Sequence, residues 1–175
     1  MGAIVLMSRE FRGYAGPMSA WPRSFAALVM VLAGGACAGG PAPCAAVLPT
    51  TTITLVAADG TGSDHRLTVE LAETDADRAR GLSGRASLGD RCGMLFRYPE
   101  PVRNGFWMRD MGFPLDIAFA DAGGTIVDVV TLQPCEAACP RYEPATAYTV
   151  VLEVGAGALD AMGIGVGDRL IVDLR

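Results

Sequence analysis

The chain has 175 residues, of which 51% are hydrophobic, and its formal net charge is −5. This length fits one domain plus an appendage, and the high apolar content excludes an intrinsically disordered chain. A net negative surface repels polyanions, so nucleic acid is not expected as a partner and anionic lipid headgroups are disfavoured.

The N-terminal segment has the order of residues that is typical of a signal peptide. Arg23 precedes an apolar run of nine residues, 25–33, and small residues follow it. A transmembrane helix needs about 20 apolar residues, so the run predicts export rather than a span in the mature chain. A buried N-terminal helix is the alternative. We therefore predict a leader over residues 1–38, with Met18 as an alternative translation start.

The cleavage site determines how the mature chain is released. The segment Ala-Cys-Ala at 36–38 resembles an ordinary cleavage site, which leaves a flexible Pro/Ala-rich tether over 39–50 and a single domain over 51–175. Lipidation of Cys37 is the alternative, although Gly34 occupies the position where lipoprotein signals usually carry leucine. We expect a soluble periplasmic or secreted protein, with lipid anchoring as the second option.

Export to an oxidising compartment makes the cysteines after the leader candidates for disulfides. Cys135 and Cys139 are the clearest pair, because a bridge between them closes a short loop and would stabilise the fold by roughly 2 kcal/mol. A redox-active or metal-binding thiol pair is the alternative, but the spacing is not that of the CxxC motif. Whether Cys44 and Cys92 are bridged stays open.

The first predicted elements are two strands and a helix. Alternating apolar and polar residues predict strands over 52–58 and 66–72, joined as a hairpin. A short helix follows from its N-cap Thr74 to Gly81, with acidic residues in the first turn and Arg78 and Arg80 in the last. The C-terminal position of Gly81 indicates that the helix ends there in a left-handed conformation.

The rest of the chain is predicted to be mostly strands. The expected strands cover 94–96, 106–108, 115–120, 125–130, 148–154 and 169–173, and a short helix covers 156–162. There are too few helices for repeated βαβ units. The predicted fold class is therefore α+β and β-rich, a mainly antiparallel curled sheet or small barrel with two short helices.

Several motifs, in this order and spacing, resemble the DUF192 family. They are the segments 80–85, 93–96, 106–108, 114–119, 139–142 together with Cys135, and 151–154 leading to Gly167 and Asp168. The resemblance covers 52–172. It implies a compact β-rich domain, often exported in bacteria and archaea, in a family named for lacking a known activity.

No catalytic set, metal site or cofactor is predicted from these residues. His65 is the only histidine, and it follows an expected hairpin turn, where a histidine is more often solvated than catalytic. Zinc catalysis needs several histidine or carboxylate ligands, which the histidine count does not supply.

The candidate ligand-binding residues are Trp107, Arg109, Asp116 and Arg80. If Phe106 faces the core, then Trp107 and Arg109 share the other face of the segment, and a hairpin would bring Asp116 opposite. An indole beside a guanidinium and a carboxylate suits a sugar or another polar ring. The alternative is that Trp107 fills a core and the charged pair fixes the strand register. Arg80 could bind an anion, although an arginine at a helix end usually serves the helix dipole.

Three functions are weighed. The first is a non-catalytic binding or accessory module of the cell envelope for a small polar or carbohydrate-like ligand. The second is a hydrolase of envelope glycans that uses two carboxylates, Asp116 with Glu153. The third is copper(I) handling by the soft sulfur of Cys92, Met94, Met108 and Met111, although methionine is commoner in cores than as a ligand. No sequence feature sets the oligomeric state.

Overall fold

The computed structural model describes residues 44–60 and 62–173. The predicted leader, Cys37 and the first part of the tether lie outside the described residues. The described part contains these elements: β1 Thr50–Val56, β2 His65–Ala72, α1 Asp75–Arg80, β3 Cys92–Val102, β4 Leu115–Ala120, β5 Ile126–Leu132, β6 Tyr148–Gly155, α2 Ala158–Ala161 and β7 Arg169–Asp173. No helix in this part is long and apolar enough to cross a membrane.

The seven strands form one curled sheet in the order β5-β4-β6-β3-β2-β1-β7. All neighbouring strands are antiparallel except β2 and β3, which are parallel. A parallel pair needs a long crossover, and the chain between Ala72 and Cys92, which includes α1, provides it. The predicted α+β, β-rich class with two short helices is confirmed, with this one parallel pair as the departure from an antiparallel sheet.

The curl of the sheet brings its two edge strands together at one end. Thr125, just before β5, forms a bridge with Arg169 of β7. The Ile126 amide donates to the carbonyl of Asp168 at 2.8 Å, and the Leu170 amide donates to the carbonyl of Gly124 at 2.7 Å. Gly124 has φ of 80°, and a side chain there would collide with the Leu170 carbonyl. The sheet is therefore a half-barrel that closes at one corner.

Both faces of the central strands are buried. Along β3, Leu95 points into one apolar cluster, inside the curl, together with Leu159 of α2. Met94 and Phe96 point into a second cluster on the other face, which Phe106 and other residues of the long connections cover. Strands of the middle of the sheet therefore read as nearly continuous apolar runs rather than alternating ones.

The helix signals in the sequence correspond to observed caps. The Thr74 hydroxyl accepts from the Asp77 amide at 3.1 Å, and Gly81 has φ of 51° at the end of α1. After α2, Gly163 has φ of 66° and the Ile164 amide donates to the Leu159 carbonyl at 2.9 Å. The N-cap at Thr74 is confirmed, whereas Gly81 combines its positive φ with a ψ of −137°, so α1 does not end in the left-handed helical conformation expected from the sequence.

Two pairs of cysteines lie at disulfide distance. The Cα atoms of Cys135 and Cys139 are 5.3 Å apart, in keeping with the bridge expected from the sequence. The Cα atoms of Cys44 and Cys92 are 5.6 Å apart, and their bond ties the start of the described chain to β3 across a separation of 48 residues.

Candidate functional site

One pocket opens on the outer face of the central strands, between the end of α1 and the segment around Trp107. Its volume is about 240 Å³. The lining residues include Arg80, Leu82, Phe96, Tyr98, Phe106, Trp107, Arg141 and Glu153. Strands β3 and β6 therefore supply the base, while α1 and two connecting segments supply the walls.

Glu153 is the acidic residue at the base of this pocket. It pairs with Met94 of β3 and with Ile117 of β4, so its side chain points toward the outer apolar cluster. Only 6% of the residue is exposed. Its carboxyl group takes part in none of the hydrogen bonds or ion pairs found within 44–60 and 62–173. No fully enclosed side-chain oxygen in this part lacks a partner, so the carboxyl group must keep an opening, which the pocket provides.

The apolar surroundings of Glu153 alter its ionisation. Burial raises the pKa of Glu153 to about 8, because the charged form loses its hydration. The carboxyl group is therefore mostly neutral at pH 7 and can donate one hydrogen bond while accepting others. A buried neutral acid that faces a cavity is a common feature of binding and catalytic sites.

Aromatic rings form much of the pocket wall. The rings of Phe96 and Phe106 meet edge to face with centroids 5.3 Å apart, and those of Tyr98 and Tyr148 do so at 5.5 Å. The Tyr148 hydroxyl donates to the carbonyl of Asn104 at 2.6 Å, and burial raises the pKa of Tyr148 well above its usual value. The tyrosines therefore remain neutral, and the packed rings form the apolar part of a wall that also carries arginines.

Trp107 stands at the mouth of the pocket and is 39% exposed. Its neighbours Phe106 and Met108 are buried, so the alternation expected from the sequence holds. The guanidinium groups of Arg109 and Arg141 both lie over the indole, each 4.5 Å from the ring centroid. Trp107 therefore lines the pocket rather than filling a core.

The arginines of the site differ in how firmly they are held. Arg78 donates to the carbonyl of Arg97 at 2.7 Å and lies 4.9 Å above the ring of Tyr98. Arg80, in the last turn of α1, keeps 60% of its side chain exposed and is 3.9 Å from the carboxylate of Asp77. Arg78 is thus fixed by the fold, whereas Arg80 retains free donors.

The position expected for Asp116 is wrong. Asp116 is opposite Val154 in the register, so its side chain points to the face of the sheet opposite Glu153. There it is buried, accepting from the Thr131 hydroxyl at 2.7 Å and from the Leu159 amide at 3.1 Å. It supports α2 and does not line the pocket. No hairpin places Arg109 opposite it, because Arg109 forms a bridge with Cys135 instead.

The same geometry bears on the two alternative chemistries. Asp116 and Glu153 project from opposite faces and cannot flank one scissile bond, as a glycosidase pair must. Cys92 is bonded to Cys44, so its sulfur is not a free thiolate ligand, and Met94 and Met108 are buried in the outer apolar cluster, where Met111 packs against them. Within the described ranges, no group of three or more histidine, cysteine, aspartate and glutamate side chains is arranged to hold a metal ion.

Sequence reasoning considered Glu153 only as the partner of Asp116 in a carboxylate pair and did not single out Arg141, whereas both residues line the pocket. The signal for Glu153 was a single acidic residue inside the apolar run Val150–Val154, which predicts a buried carboxyl group. Arg141 gave no such signal, because its approach to Trp107 depends on how two distant segments pack.

A curled, β-rich half-barrel with two short helices and a lateral pocket over its central strands defines a small α+β domain. The chain belongs to the DUF192 family, described as an uncharacterised ACR, whose model matches residues 56–172. The resemblance inferred from the motifs is therefore confirmed.

Two solved structures are similar to this chain. A proposed transcription regulator from Sinorhizobium meliloti 1021 is 32% identical, with a TM-score of 0.66 over 71% of this chain and 95% of its own. A protein of unknown function from Novosphingobium aromaticivorans DSM 12444 is 31% identical, with a TM-score of 0.65 over 76% of this chain and 93% of its own. No curated protein matches the chain.

Proposed function

We propose that this protein is a non-catalytic binding module of the cell envelope, and that its pocket takes a small polar ligand of the carbohydrate class. The observation that carries the proposal is the Glu153 carboxyl group, which is buried at the base of the pocket without a hydrogen-bond partner in the described part of the chain. A ligand hydroxyl that enters this opening would give the carboxyl group a hydrogen-bond partner, and such a bond contributes about 0.5–1.5 kcal/mol.

The size and walls of the pocket favour a single sugar ring. A volume of 240 Å³ equals the share of about eight water molecules at ~30 Å³ each. The exposed part of the Trp107 indole gives apolar surface at the mouth of the pocket, while Glu153 can donate and accept hydrogen bonds at its base. The arginines beside Trp107 add donors for ring hydroxyls.

A binding role is favoured over catalysis because the pocket lining holds one carboxyl group and no second acid or base of suitable kind. His65 lies at the start of β2 and is not among the lining residues. Asp116, the partner needed for paired-carboxylate chemistry, points away from the pocket.

Tryptophan fluorescence tests the proposal directly. The chain has two tryptophans, and Trp21 lies in the predicted leader, so a chain that starts at Gly39 has Trp107 as its sole indole emitter. We expect neutral and acidic monosaccharides to change its emission saturably and expect Glu153→Gln to weaken that binding. Glu100→Gln, on the exposed end of β3, is the matched control and should bind normally. If no monosaccharide gives a saturable change, the proposal fails.

We also propose that the chain is exported, with cleavage after Ala38. Support comes from the order of residues in the leader and from two cysteine pairs at disulfide distance, since disulfides persist in oxidising compartments. Mass spectrometry of the N-terminus tests this: a chain starting at Gly39 is expected. A diacylglyceryl group on Cys37 would indicate anchoring instead, and an uncleaved chain would contradict export.

A further inference from the structure

We propose that the pocket selects an anionic member of this ligand class, a monosaccharide-sized polyol with one carboxylate, which Arg80 and Arg141 bind at the rim while its hydroxyls face Glu153. The inference rests on the proposed function and deepens it by assigning the charge of the ligand and the residues that recognise it.

The charge of the pocket is opposite to that of the chain. The basic residues in its lining are three arginines, Arg78, Arg80 and Arg141, and the acidic residue is Glu153. The whole chain carries a net charge of −5. A positive recess in a negative surface attracts anions locally while the rest of the surface repels them, which focuses an anionic ligand on this site.

Two of these arginines have donors to spare. Arg78 is committed to the carbonyl of Arg97 and to the carboxylate of Asp75. Arg80 is at the outer distance limit of an ion pair with Asp77. Arg141 is exposed and stacks on Trp107, and within the described ranges it forms no ion pair with a carboxylate. A guanidinium held by stacking keeps its N–H edge free for a bidentate bond to a carboxylate.

The buried acid is compatible with an anion because it is mostly uncharged below about pH 8. The charged and titratable groups around it are Tyr98 from β3, the arginines of α1, and Arg141 from the connection before β6; β4 adds the apolar Leu115 to this lining. Burial raises the pKa of Tyr98 as well, so that residue adds no negative charge in this range. Binding of the anion should therefore weaken as the pH rises through the pKa of Glu153.

Matched pairs of sugars test the inference by titration calorimetry on the full chain. The pairs are D-galactose with D-galacturonate and D-glucose with D-glucuronate, which differ in one carboxylate. We expect the acid of at least one pair to bind about tenfold or more tightly than its neutral partner, as one added charge-assisted hydrogen-bond pair implies. The preference should shrink at high salt and above pH 8, whereas binding of the neutral sugar should change little.

Two substitutions assign the preference to the rim. Arg141→Gln and Arg80→Gln should each reduce the acid's affinity toward that of the neutral sugar. Arg103→Gln, an exposed residue outside the pocket lining, is the control and should leave the ratio unchanged. Circular dichroism of each variant separates loss of binding from loss of fold.

The possible outcomes distinguish failure of this inference from failure of the proposed function. Equal binding of acid and neutral sugar that depends on Trp107 would overturn this inference and leave the proposed function standing. A preference for the acid that survives both arginine substitutions would also overturn it. If no sugar of either pair binds, both proposals fail.

Discussion

At the scale of single residues, Glu153 and Glu70 show how the pKa of a buried glutamate can shift in opposite directions. Both are almost fully buried. Glu153 has no hydrogen-bond partner in the described part of the chain. Glu70 accepts from Arg85 and from the amides of Val47 and Leu48, each at 2.8 Å. Burial alone would raise the pKa of Glu70, but these donors lower it below its usual value.

Replacing Glu153 with glutamine should stabilise the protein at alkaline pH. The pKa of Glu153 is raised in the folded state. Its contribution to the free energy of unfolding is therefore fully present below the unfolded pKa and is lost as the pH rises toward about 8. This loss is roughly 3 kcal/mol between about pH 5 and pH 8. In urea unfolding, Glu153→Gln should flatten that decline, while Glu100→Gln should keep it. An unchanged slope in Glu153→Gln would contradict the assignment.

Breaking the Glu70–Arg85 pair should be strongly destabilising. The side chains are 4% and 17% exposed, so Arg85→Gln leaves a buried carboxylate without its cation, at a cost of about 3 kcal/mol or more. The surface pair of Arg66 and Asp173 provides the control, because Arg66→Gln should cost under about 1 kcal/mol. Urea unfolding at neutral pH measures both, and similar losses in the two variants would refute the account.

The pH dependence of that pair has the opposite sign to that of Glu153. Since the pKa of Glu70 is lowered in the folded state, its stabilisation is present above the unfolded pKa and is lost as the pH falls through the folded value. Residue-scale reasoning from sequence could anticipate the buried carboxyl group of Glu153 but not this pairing, because Arg85 meets Glu70 only through the crossover between β2 and β3.

At the scale of elements, sequence patterns predicted most strands but not the segment around Trp107. Phe106 and Met108 alternate with exposed residues as in a strand, yet the segment forms only isolated bridges, to Tyr142 and Cys135. Asp110 has φ of 57°, and such a conformation interrupts strand pairing. Alternation indicates which side chains are buried, but a strand also requires an adjacent strand with which its backbone forms hydrogen bonds.

The placement of Asp116 failed for a related reason. Every residue of β4 is buried, so the strand has no polar face from which its orientation could be read. A one-residue change in the assumed orientation moves a side chain to the other face of the sheet. Only the packing of α2 against the inner face fixes Asp116 as a support for that helix.

Replacing Asp116 with alanine should therefore lower stability without impairing the pocket. The buried amide of Leu159 and the hydroxyl of Thr131 would lose their acceptor, at a cost of about 2 kcal/mol. Asp160→Ala, on the exposed side of α2, should cost much less. Thermal unfolding gives the stability, and titration of the fluorescence of Trp107 gives binding. A loss of ligand affinity in a folded Asp116→Ala variant would contradict this and would indicate that Asp116 takes part in binding.

At the scale of the whole molecule, the half-barrel is held at its corner by the approach of β5 and β7 and at its side by the bond between Cys44 and Cys92. The fold class and the family could be predicted from the sequence, because strand patterns and ordered motifs are local signals. The pocket could not, because it joins α1, β3, β6 and two connections that are far apart along the chain.

The two disulfides should differ in their effect on stability because they close loops of different length. On the chain-entropy model, loss of the Cys44–Cys92 bond costs about 4 kcal/mol and loss of the Cys135–Cys139 bond about 2 kcal/mol. Urea unfolding of two double variants measures the difference. One carries Cys44→Ser with Cys92→Ser, and the other carries Cys135→Ser with Cys139→Ser. The reverse order would contradict a stabilising role for the longer loop.

The central claim is that Glu153 is a buried, neutral carboxyl group that a ligand meets at the base of the pocket. Carbon-13 NMR of its carboxyl carbon, assigned with Glu153→Gln, tests this most directly through a pH titration with and without D-galacturonate. We predict a pKa of about 8 in the free protein and a shifted carboxyl resonance on saturation with the sugar acid. An ordinary carboxyl pKa, together with a resonance that the sugar acid leaves unmoved, would contradict the account.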